Sequence, residues 1–331
     1  MKKQILTYFL VSISVFSCKK DIAEFEHTNP FEKVVLVENQ TFDLDTISVK
    51  EIIGEKGTKI YFNREDFDIK DSDKVTLELK EYYSRLELIS DNLNTITDKN
   101  ELLESNGVVS IKFKIGDKEI KLKNGKKLKL KFAQEFRIGD RIFNGVLDSI
   151  NQITWIQNSE TKVLQTVLDS VATRRFGGVM TFREKLVSID SVDYYNRQLE
   201  QIQGDLIEDI EKIGYYPLVL VDDYDWINVD KILDVDSRIT FELNLNKSDL
   251  EKISVFFIYN DMNSFISEYR KYYDLKFIDI PIKNESSMII VGEKEKELFA
   301  DKRILNEQTT GKININLKKI DSTELKELLI K

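Results

Sequence analysis

Short runs in which apolar and polar side chains alternate recur along this chain. Residues 75–83 give the clearest run, because Val75, Leu77 and Leu79 fall on one side of an extended chain and polar residues fall between them. Such runs, separated by turn residues, predict a mainly β fold in which each strand buries one face. Hydrophobic residues make up 41% of the 331 residues, which is normal for a folded globular chain.

The lysine-rich segment 112–131 contains the strongest local turn signal. Asn124-Gly125 is a residue pair that favours a two-residue hairpin turn, and lysine and leucine alternate on both sides of it. The pattern predicts a hairpin over residues 121–132 with Lys121 and Lys129 on its solvated face, where lysines oppose edge-to-edge aggregation. The alternative is that these lysines contact the phosphates of lipopolysaccharide or anionic lipid head groups.

Segments of different character divide the chain. Residues 33–150 and 215–331 each contain a series of strand patterns, and each is predicted to form a β-sandwich domain. Residues 151–214 are predicted to connect them and to contain a helix, because apolar residues between 199 and 213 recur at helical spacing and Gly214 suits the helix end. Asp321 and Glu324 have capping-box spacing and predict a short final helix. The predicted fold class is mainly β, with tandem antiparallel β-sandwich-like domains and a helical insertion between them.

The first twenty residues have the layout of an export signal. Two lysines precede an apolar run over residues 5–16, and the small residue Ser17 precedes Cys18. This layout is typical of a signal peptide, and the run is shorter than the roughly 20 residues that a membrane-spanning helix needs. Residues 1–17 are therefore predicted to be removed, and residues 18–32 to form a polar tether.

Residues 15–18 (VFSC) resemble the lipobox of bacterial lipoprotein precursors. The resemblance implies that Cys18 is lipidated and anchors the mature chain. Because Lys19 follows Cys18, it also implies the outer membrane, at the periplasmic face or at the cell surface. Cys18 is the only cysteine of the chain, so it cannot form an intramolecular disulfide. The alternative is an ordinary secretory signal with an incidental cysteine.

Two further stretches resemble uncharacterised lipoproteins of Bacteroidetes. Residues 57–132 share a Gly-Thr-x-Ile strand, a V-x-L-x-L-x-E-Y strand and a Gly-Lys turn with a domain of those proteins, and they are distantly similar to ZU5 domains. Residues 225–230 (DWINVD) resemble the G-W-I-N-x-D signature of the same proteins, with Asp225 in place of glycine. The resemblance implies an antiparallel β-sandwich fold and a location in the cell envelope, and it implies no activity.

Composition argues against several classes of function. A formal net charge of −9 makes nucleic acid an unfavourable partner, since phosphate contacts need a basic surface. The single histidine, His27, lies close to the predicted anchor, which disfavours a catalytic triad and excludes a zinc site built from several His and Cys. Glycine-rich nucleotide-binding motifs do not occur. We predict no enzyme activity, no metal and no cofactor, although an enzyme that uses a carboxylate pair fits the composition.

Residues 222–236 supply most of the candidate contact residues. Trp226 could stack on a sugar, but a tryptophan inside an apolar run more often packs in a core, and the same choice applies to Trp155. Asp225 and Asp230 belong to an acidic cluster that could bind calcium through about six to eight oxygen ligands or could form surface loops. The predicted contact surface consists of Trp226, Asp225, Asp230, Lys121 and Lys129.

These observations predict a lipid-anchored outer-membrane lipoprotein that acts as a non-catalytic protein-interaction or assembly module of the cell envelope. Its partners would be the membrane, through the anchor at Cys18, and an envelope protein. The alternative is a surface glycan-binding or glycan-processing lipoprotein in which Trp226 contacts the glycan.

Overall fold

The described part of the chain folds into four β-sheets. The computed structural model describes residues 29–32, 36–45, 48–148, 152–159, 161, 163–172, 180–195, 197, 217–283 and 286–330. The predicted mainly β fold with antiparallel, sandwich-like sheets is confirmed. The predictions for the signal peptide, for Cys18 and for His27 lie outside the described residues.

The described residues form β-strands and a few short helices. The strands are β1 (Gln40–Asp45), β2 (Val49–Ile53), β3 (Lys59–Asn63), β4 (Val75–Tyr82), β5 (Leu103–Ile115), β6 (Lys118–Glu119), β7 (Leu128–Lys131), β8 (Asp140–Leu147), β9 (Ile153–Gln157), β10 (Val163–Ala172), β11 (Met180–Ser188), β12 (Pro217–Val221), β13 (Trp226–Ile232), β14 (Ser237–Leu245), β15 (Lys252–Tyr259), β16 (Ser264–Arg270), β17 (Lys276–Ile282), β18 (Ser286–Lys294), β19 (Glu297–Leu305), β20 (Gly311–Ile315) and β21 (Lys318–Ile320). The α-helices are α1 (Arg85–Ser90) and α2 (Ser322–Ile330), which is the predicted final helix, and 3-10 turns span Arg64–Asp66 and Ile189–Ser191.

The first sandwich pairs a seven-stranded sheet with a six-stranded sheet. The seven-stranded sheet has the order β1-β4-β5-β13-β8-β9, with β6 beside β5, and the six-stranded sheet has the order β11-β10-β12-β7-β3-β2. Alternation along β4 buries Leu77 and Leu79, as predicted, and the carboxylate of Glu81 is fully buried on the same face. Phe62 and Phe113 stack in this first core, with ring centroids 5.6 Å apart.

The second sandwich pairs a three-stranded sheet with a five-stranded sheet. The three-stranded sheet has the order β17-β14-β20, in which β14 and β20 are parallel, and the five-stranded sheet has the order β16-β15-β18-β19-β21. Buried and exposed residues alternate along β14, as expected for a strand with one solvated face. Phe241, Phe257 and Phe277 meet in this second core, with ring centroids between 5.3 and 6.2 Å apart.

A third apolar core lies between the two sandwiches. Phe256 and Ile258 lie on the face of β15 that is turned away from the second core. Tyr82, Phe143 and Trp155 of the seven-stranded sheet belong to the same third core and are fully buried. Because β15 is buried on both faces, it forms a continuous apolar run in the sequence. The third core therefore joins the two sandwiches into one stack of four sheets.

The sheets do not divide at residue 215, where the sequence predicted a domain boundary. β12 pairs with β7 and β10, and β13 pairs with β5 and β8, so both strands complete the first sandwich. The strands of the second sandwich begin with β14. Near residue 215 a helical spacing of apolar residues gives way to strand patterns, which is a local change in the sequence. Sheet membership depends instead on pairing with strands far away in the sequence.

The predicted connecting segment contains three strands of the first sandwich. β9 forms one edge of the seven-stranded sheet, and β10 and β11 form an antiparallel pair in the six-stranded sheet. Residues 192–195 and 197 are helical and follow the second 3-10 turn. Gly214 and the remainder of the predicted helix lie outside the described residues.

The hairpin predicted over residues 121–132 is wrong. The turn at Asn124 and Gly125 is present, with Gly125 at φ +77°, but β7 pairs with β3 and β12 instead of with residues 121–123. On the other side of the turn, Leu122 forms an isolated bridge. Because Leu128 and Leu130 are buried in the first core, long-range pairing fixes β7 more strongly than the local turn does.

Candidate functional site

Lys121 and Asp225 are brought together as a pair of opposite charges. The Lys121 ammonium lies 2.9 Å from the Asp225 carboxylate and 5.2 Å from the centroid of the Tyr224 ring. Both charged side chains are more than a third exposed, at 54% and 39%, so solvent screens the pair and its effect on stability is small. The two charges compensate each other on the protein itself and offer a partner no net charge.

Asp230 does not belong to a contact surface, and this part of the prediction is wrong. Its side chain is fully buried on β13, between β5 and β8. Asn228 Nδ2 donates a hydrogen bond to Asp230 Oδ2, and Ser105 Oγ donates to Asn228 Oδ1 at 3.3 Å. The asparagine and the last aspartate of segment 225–230 thus form a buried polar network.

Asp140 belongs to the same buried region. Its Oδ2 accepts hydrogen bonds from the Arg137 backbone N–H at 2.7 Å and from Asn106 Nδ2 at 3.1 Å. Burial raises the pKa of Asp140, and the hydrogen bond and charge of Arg137 act in the opposite direction.

Burial also raises the pKa of Asp230, to about 8. The hydrogen bond from Asn228 lowers this pKa, whereas the charge of Asp140 raises it. Asp230 therefore holds its proton at neutral pH, which avoids the large cost of a buried, uncompensated carboxylate.

The acidic residues of segment 222–236 do not converge on one point. Asp225 pairs with Lys121, Asp236 Oδ1 lies 3.0 Å from the Lys283 ammonium, and Asp230 is buried in the sheet. Within the described ranges, no group of three or more His, Cys, Asp and Glu side chains is placed to hold a metal ion. The calcium alternative gains no support from this geometry.

The two tryptophans occupy different environments. Trp155 is fully buried in the third core, and its indole N–H donates to the Asn94 carbonyl at 2.6 Å, so core packing is confirmed for Trp155. Trp226 is the first residue of β13 and is only half-buried. Its ring lies 6.0 Å from the Tyr82 ring, measured between centroids. Trp226 thus presents part of its ring to solvent.

An open cleft of about 350 Å³ lies beside Trp226, where the two sandwiches meet. β4, β8 and β13 of the first sandwich and β16 of the second all contribute to its wall. Ligand sites are common at such junctions, because side chains from separate units converge there. We call this site the Trp226 cleft and define it by Lys80, Asp91, Asn92, Leu147, Trp226 and Tyr269.

Helix α1 positions the polar side of the Trp226 cleft. Ser84 and Glu87 form a capping box at its start, and its buried apolar residues pack in the third core. Asp91 is the C-cap of this helix, and its backbone N–H donates to the Glu87 carbonyl. Asn92 follows in the left-handed region at φ +56°. These two residues were not among those predicted from the sequence, although the Ser-x-x-Glu spacing at Ser84 is a signal that predicts a helix start.

Asp91 is the polar centre of the Trp226 cleft. Its Oδ2 accepts hydrogen bonds from the Tyr82 hydroxyl and, at 3.2 Å, from the Lys80 ammonium. Burial raises the pKa of Tyr82, and the charge of Asp91 raises it further, so the phenol stays a donor at physiological pH. Leu147 is exposed and gives the cleft an apolar wall. This arrangement can bind a ligand that combines polar and apolar groups.

Lys129 lies on a different surface, the outer side of the six-stranded sheet. Its ammonium is 4.6 Å from the centroid of the Tyr61 ring. Register places alternate residues of β2, β3 and β7 on this side, while the intervening residues face the first core. We call this surface the basic sheet face and define it by Val49, Glu51, Ile53, Lys59, Tyr61, Asn63, Lys129 and Lys131. Lys129 and Trp226 therefore lie on different sheets.

Comparison with known proteins leaves the sequence resemblances untested. No protein-family model, curated protein or solved structure matches the chain. The lipobox resemblance and the resemblance to Bacteroidetes lipoproteins and ZU5 domains stay predictions. No helix among the residues that the structure describes is long and apolar enough to cross a membrane.

Proposed function

We propose that this chain is a lipid-anchored protein of the outer membrane that acts as a non-catalytic interaction module of the cell envelope. We further propose that the Trp226 cleft receives a segment of a partner protein. The anchor rests on the lipobox resemblance at Cys18. One observation supports the binding role, namely that the half-buried Trp226 lines an open cleft to which both sandwiches contribute.

The Trp226 cleft has the composition of a protein-binding hot spot. Tryptophan and tyrosine are enriched at the centres of interfaces, because they bury a large area and keep one hydrogen-bonding group. Trp226 packs against the fully buried Tyr82, so its ring loses little freedom when a partner binds. Lys80 and Asp91 add polar groups that orient a partner segment.

A glycan is the second candidate, and the residues of the same cleft favour it. A sugar ring can stack on the exposed part of the Trp226 ring while its hydroxyls bond to Asp91 and Asn92. The three side chains line one cleft, so a single saccharide unit could contact an aromatic ring and polar groups together. Either ligand would be met at the cell envelope if Cys18 carries the anchor.

Affinity purification from detergent-solubilised outer membranes, with a C-terminal tag and mass spectrometry, tests the proposed function. We expect one stoichiometric envelope protein with the wild-type chain and a loss of that protein with Trp226→Ala. Tyr273→Ala is the matched control, because Tyr273 is an aromatic residue that is 81% exposed and lies outside the cleft. Thermal melting of both variants shows whether each is folded.

Two outcomes contradict a protein partner at the Trp226 cleft. The chain could purify alone, or Trp226→Ala could retain the partner as fully as Tyr273→Ala does. A glycan array with the same three proteins then decides the second candidate. Binding that disappears with Trp226→Ala and persists with Tyr273→Ala supports the glycan.

The anchor is tested separately with Cys18→Ser. We expect this variant to lose incorporation of labelled fatty acid and to leave the outer-membrane fraction, since acyl chains supply the membrane affinity. Retention of both properties by Cys18→Ser would overturn the anchor and would leave the partner experiment unaffected.

A further inference from the structure

The basic sheet face has an excess of positive charge. It carries three lysines, Lys59, Lys129 and Lys131, together with one acid, Glu51, whose carboxylate lies 3.4 Å from the Lys59 ammonium. On the seven-stranded sheet, three lysines each lie beside an acidic partner. These pairs are Lys80 with Asp91 at 3.2 Å, Lys112 with Glu119 at 3.0 Å and Lys114 with Glu78 at 2.7 Å.

The outer side of the three-stranded sheet also carries polar side chains in cross-strand pairs. Lys312 lies 3.3 Å from Glu242, and Asn244 Nδ2 donates to Asn314 Oδ1 at 2.7 Å, so groups of this side satisfy one another across the strands. Complementary pairs of this kind are expected on a solvated surface. The basic sheet face contains such a pair in Lys59 and Glu51, and it differs from both other surfaces because its lysines outnumber its acids by three to one.

The lysines of the basic sheet face lie close together. Lys131 is paired directly with Lys59 across β3 and β7, and Lys129 is paired with Tyr61 on the same side. Burial lowers the pKa of Lys131, the charges of Lys129 and Lys59 lower it further, and the charge of Glu51 acts in the opposite direction. An anion bound at this face would relieve the repulsion between the lysines.

Apolar side chains accompany these lysines. Val49 and Ile53 of β2 are 69% and 54% exposed on the same face, and the Tyr61 ring lies 4.6 and 5.9 Å from the two lysines of β7. In proteins that lie on a bilayer, lysines contact the head-group phosphates while apolar and aromatic groups enter the boundary below them. A broad sheet surface of this composition suits an array of head groups.

We propose that the basic sheet face docks on anionic phospholipid head groups. The six-stranded sheet of the first sandwich would then lie nearest to the membrane, and the second sandwich would point away from the membrane. This orientation rests on the lipid anchor of the proposed function, and it adds a second membrane contact to that of the anchor.

The length of the tether allows this orientation. The Asn29 side chain donates to the carbonyls of Ile89 and Ser90 at 2.6 and 3.0 Å, which fixes the start of the folded part beside the third core. Two sheets separate the third core from the basic sheet face, a distance of roughly 20 Å at about 10 Å per layer. Residues 18–28 can span at most about 40 Å when extended, so the anchor can reach the membrane on that side.

Vesicle co-sedimentation tests the proposal with the exported chain, residues 18–331, carrying Cys18→Ser so that the acyl anchor does not contribute. We expect binding to vesicles of phosphatidylglycerol and phosphatidylcholine, little binding to pure phosphatidylcholine, and weaker binding as salt is raised. Lys129→Glu/Lys131→Glu should weaken binding to the anionic vesicles by at least roughly 30-fold. The control Lys312→Glu/Lys319→Glu makes the same change in net charge at lysines that are 71% and 63% exposed on the second sandwich.

Three outcomes overturn the membrane contact. The wild-type sequence could fail to bind anionic vesicles, Lys129→Glu/Lys131→Glu could bind as tightly as wild type, or both double variants could lose binding equally, which would indicate net charge alone. Melting temperatures show whether each variant is folded. A Lys129→Glu/Lys131→Glu protein that still recovers the envelope partner would show that the Trp226 cleft acts independently of this face.

Discussion

Phe256 and Phe257 are neighbours on β15, and their rings enter different apolar cores. Phe257 packs 5.6 Å from Phe277 in the second core, whereas Phe256 packs 4.7 Å from Phe31 in the third core, both measured between ring centroids. A strand turns successive side chains to opposite faces, so one strand contributes to two cores. β15 is thus a structural part of the second sandwich and of its junction with the first.

We expect Phe256→Ala to destabilise both sandwiches together. Removing the ring leaves a cavity in the third core, which costs about 3–5 kcal/mol for a buried phenylalanine. Because Tyr82 and Trp155 of the first sandwich line the same core, denaturation followed by fluorescence and by circular dichroism should give one coincident transition at lower denaturant concentration. Two separated transitions, with the first sandwich unchanged, would show that the third core does not couple the two units.

Asp230 should make the fold less stable as pH rises. Its pKa is about 8 in the folded state and ordinarily 3.8, so between these values the folded state binds more protons than the unfolded state. Stability contributed by the protonated group is complete below about pH 4 and is lost as pH rises through about 8, with a slope of up to about 1.4 kcal/mol per pH unit.

Asp230→Asn tests this linkage. The amide oxygen can still accept the hydrogen bond from Asn228 Nδ2, and the amide does not titrate. The free energy of unfolding, measured by urea denaturation from pH 5 to pH 8, should fall less steeply for the variant than for the wild type. Equal slopes for the two proteins would contradict a raised pKa at Asp230.

Strands with a strict two-residue alternation were predictable from sequence. The pattern of Val75, Leu77 and Leu79 gave β4 and its buried face, because a strand with one solvated side must alternate. The pairing of β7 was not predictable in this way. Asn124-Gly125 is a strong local signal, but Leu128 and Leu130 gain more by joining the first core through strands far away in the sequence.

The Trp226 cleft was predictable only in part. Trp226 was a candidate because its residue type carries recognisable chemistry, whereas Lys80, Asp91 and Tyr269 come from elements that are distant in sequence. Asp230 was misassigned because an aspartate in a polar motif gives no sign of burial by itself. Its burial follows from β13 lying between β5 and β8 in the sheet.

Glu81 should stabilise the first sandwich by holding the loop before β3. Its carboxylate accepts hydrogen bonds of 2.9 Å from the backbone N–H groups of Lys56 and Thr58 and from Gln40 Nε2. Glu81→Ala removes a fully buried acceptor and leaves the buried Thr58 N–H without a partner, which should cost about 3 kcal/mol by chemical denaturation.

Glu78→Ala is the matched control for Glu81→Ala. Glu78 lies on the opposite face of β4, in a part-exposed ion pair with Lys114 at 2.7 Å. Pairs of this kind contribute about 1 kcal/mol or less, so the control should remain near wild-type stability. Equal losses in the free energy of unfolding for the two variants would show that the buried hydrogen bonds of Glu81 contribute no more to stability than a surface ion pair.

Gly145 should be required for the packing beneath the Trp226 cleft. A Cβ atom at this position would lie 2.5 Å from Ile153 Cδ1 and 2.8 Å from both Trp155 Cζ3 and Trp226 Cβ. Because Ile153 and Trp155 are fully buried, neither can move away freely, and Gly145→Ala should cost about 1–3 kcal/mol and alter tryptophan fluorescence. Val146→Ala is the control, since Val146 is 51% exposed and such surface changes usually stay within about 0.5 kcal/mol. If Gly145→Ala left both stability and fluorescence unchanged, the close packing around Trp226 would not constrain the cleft.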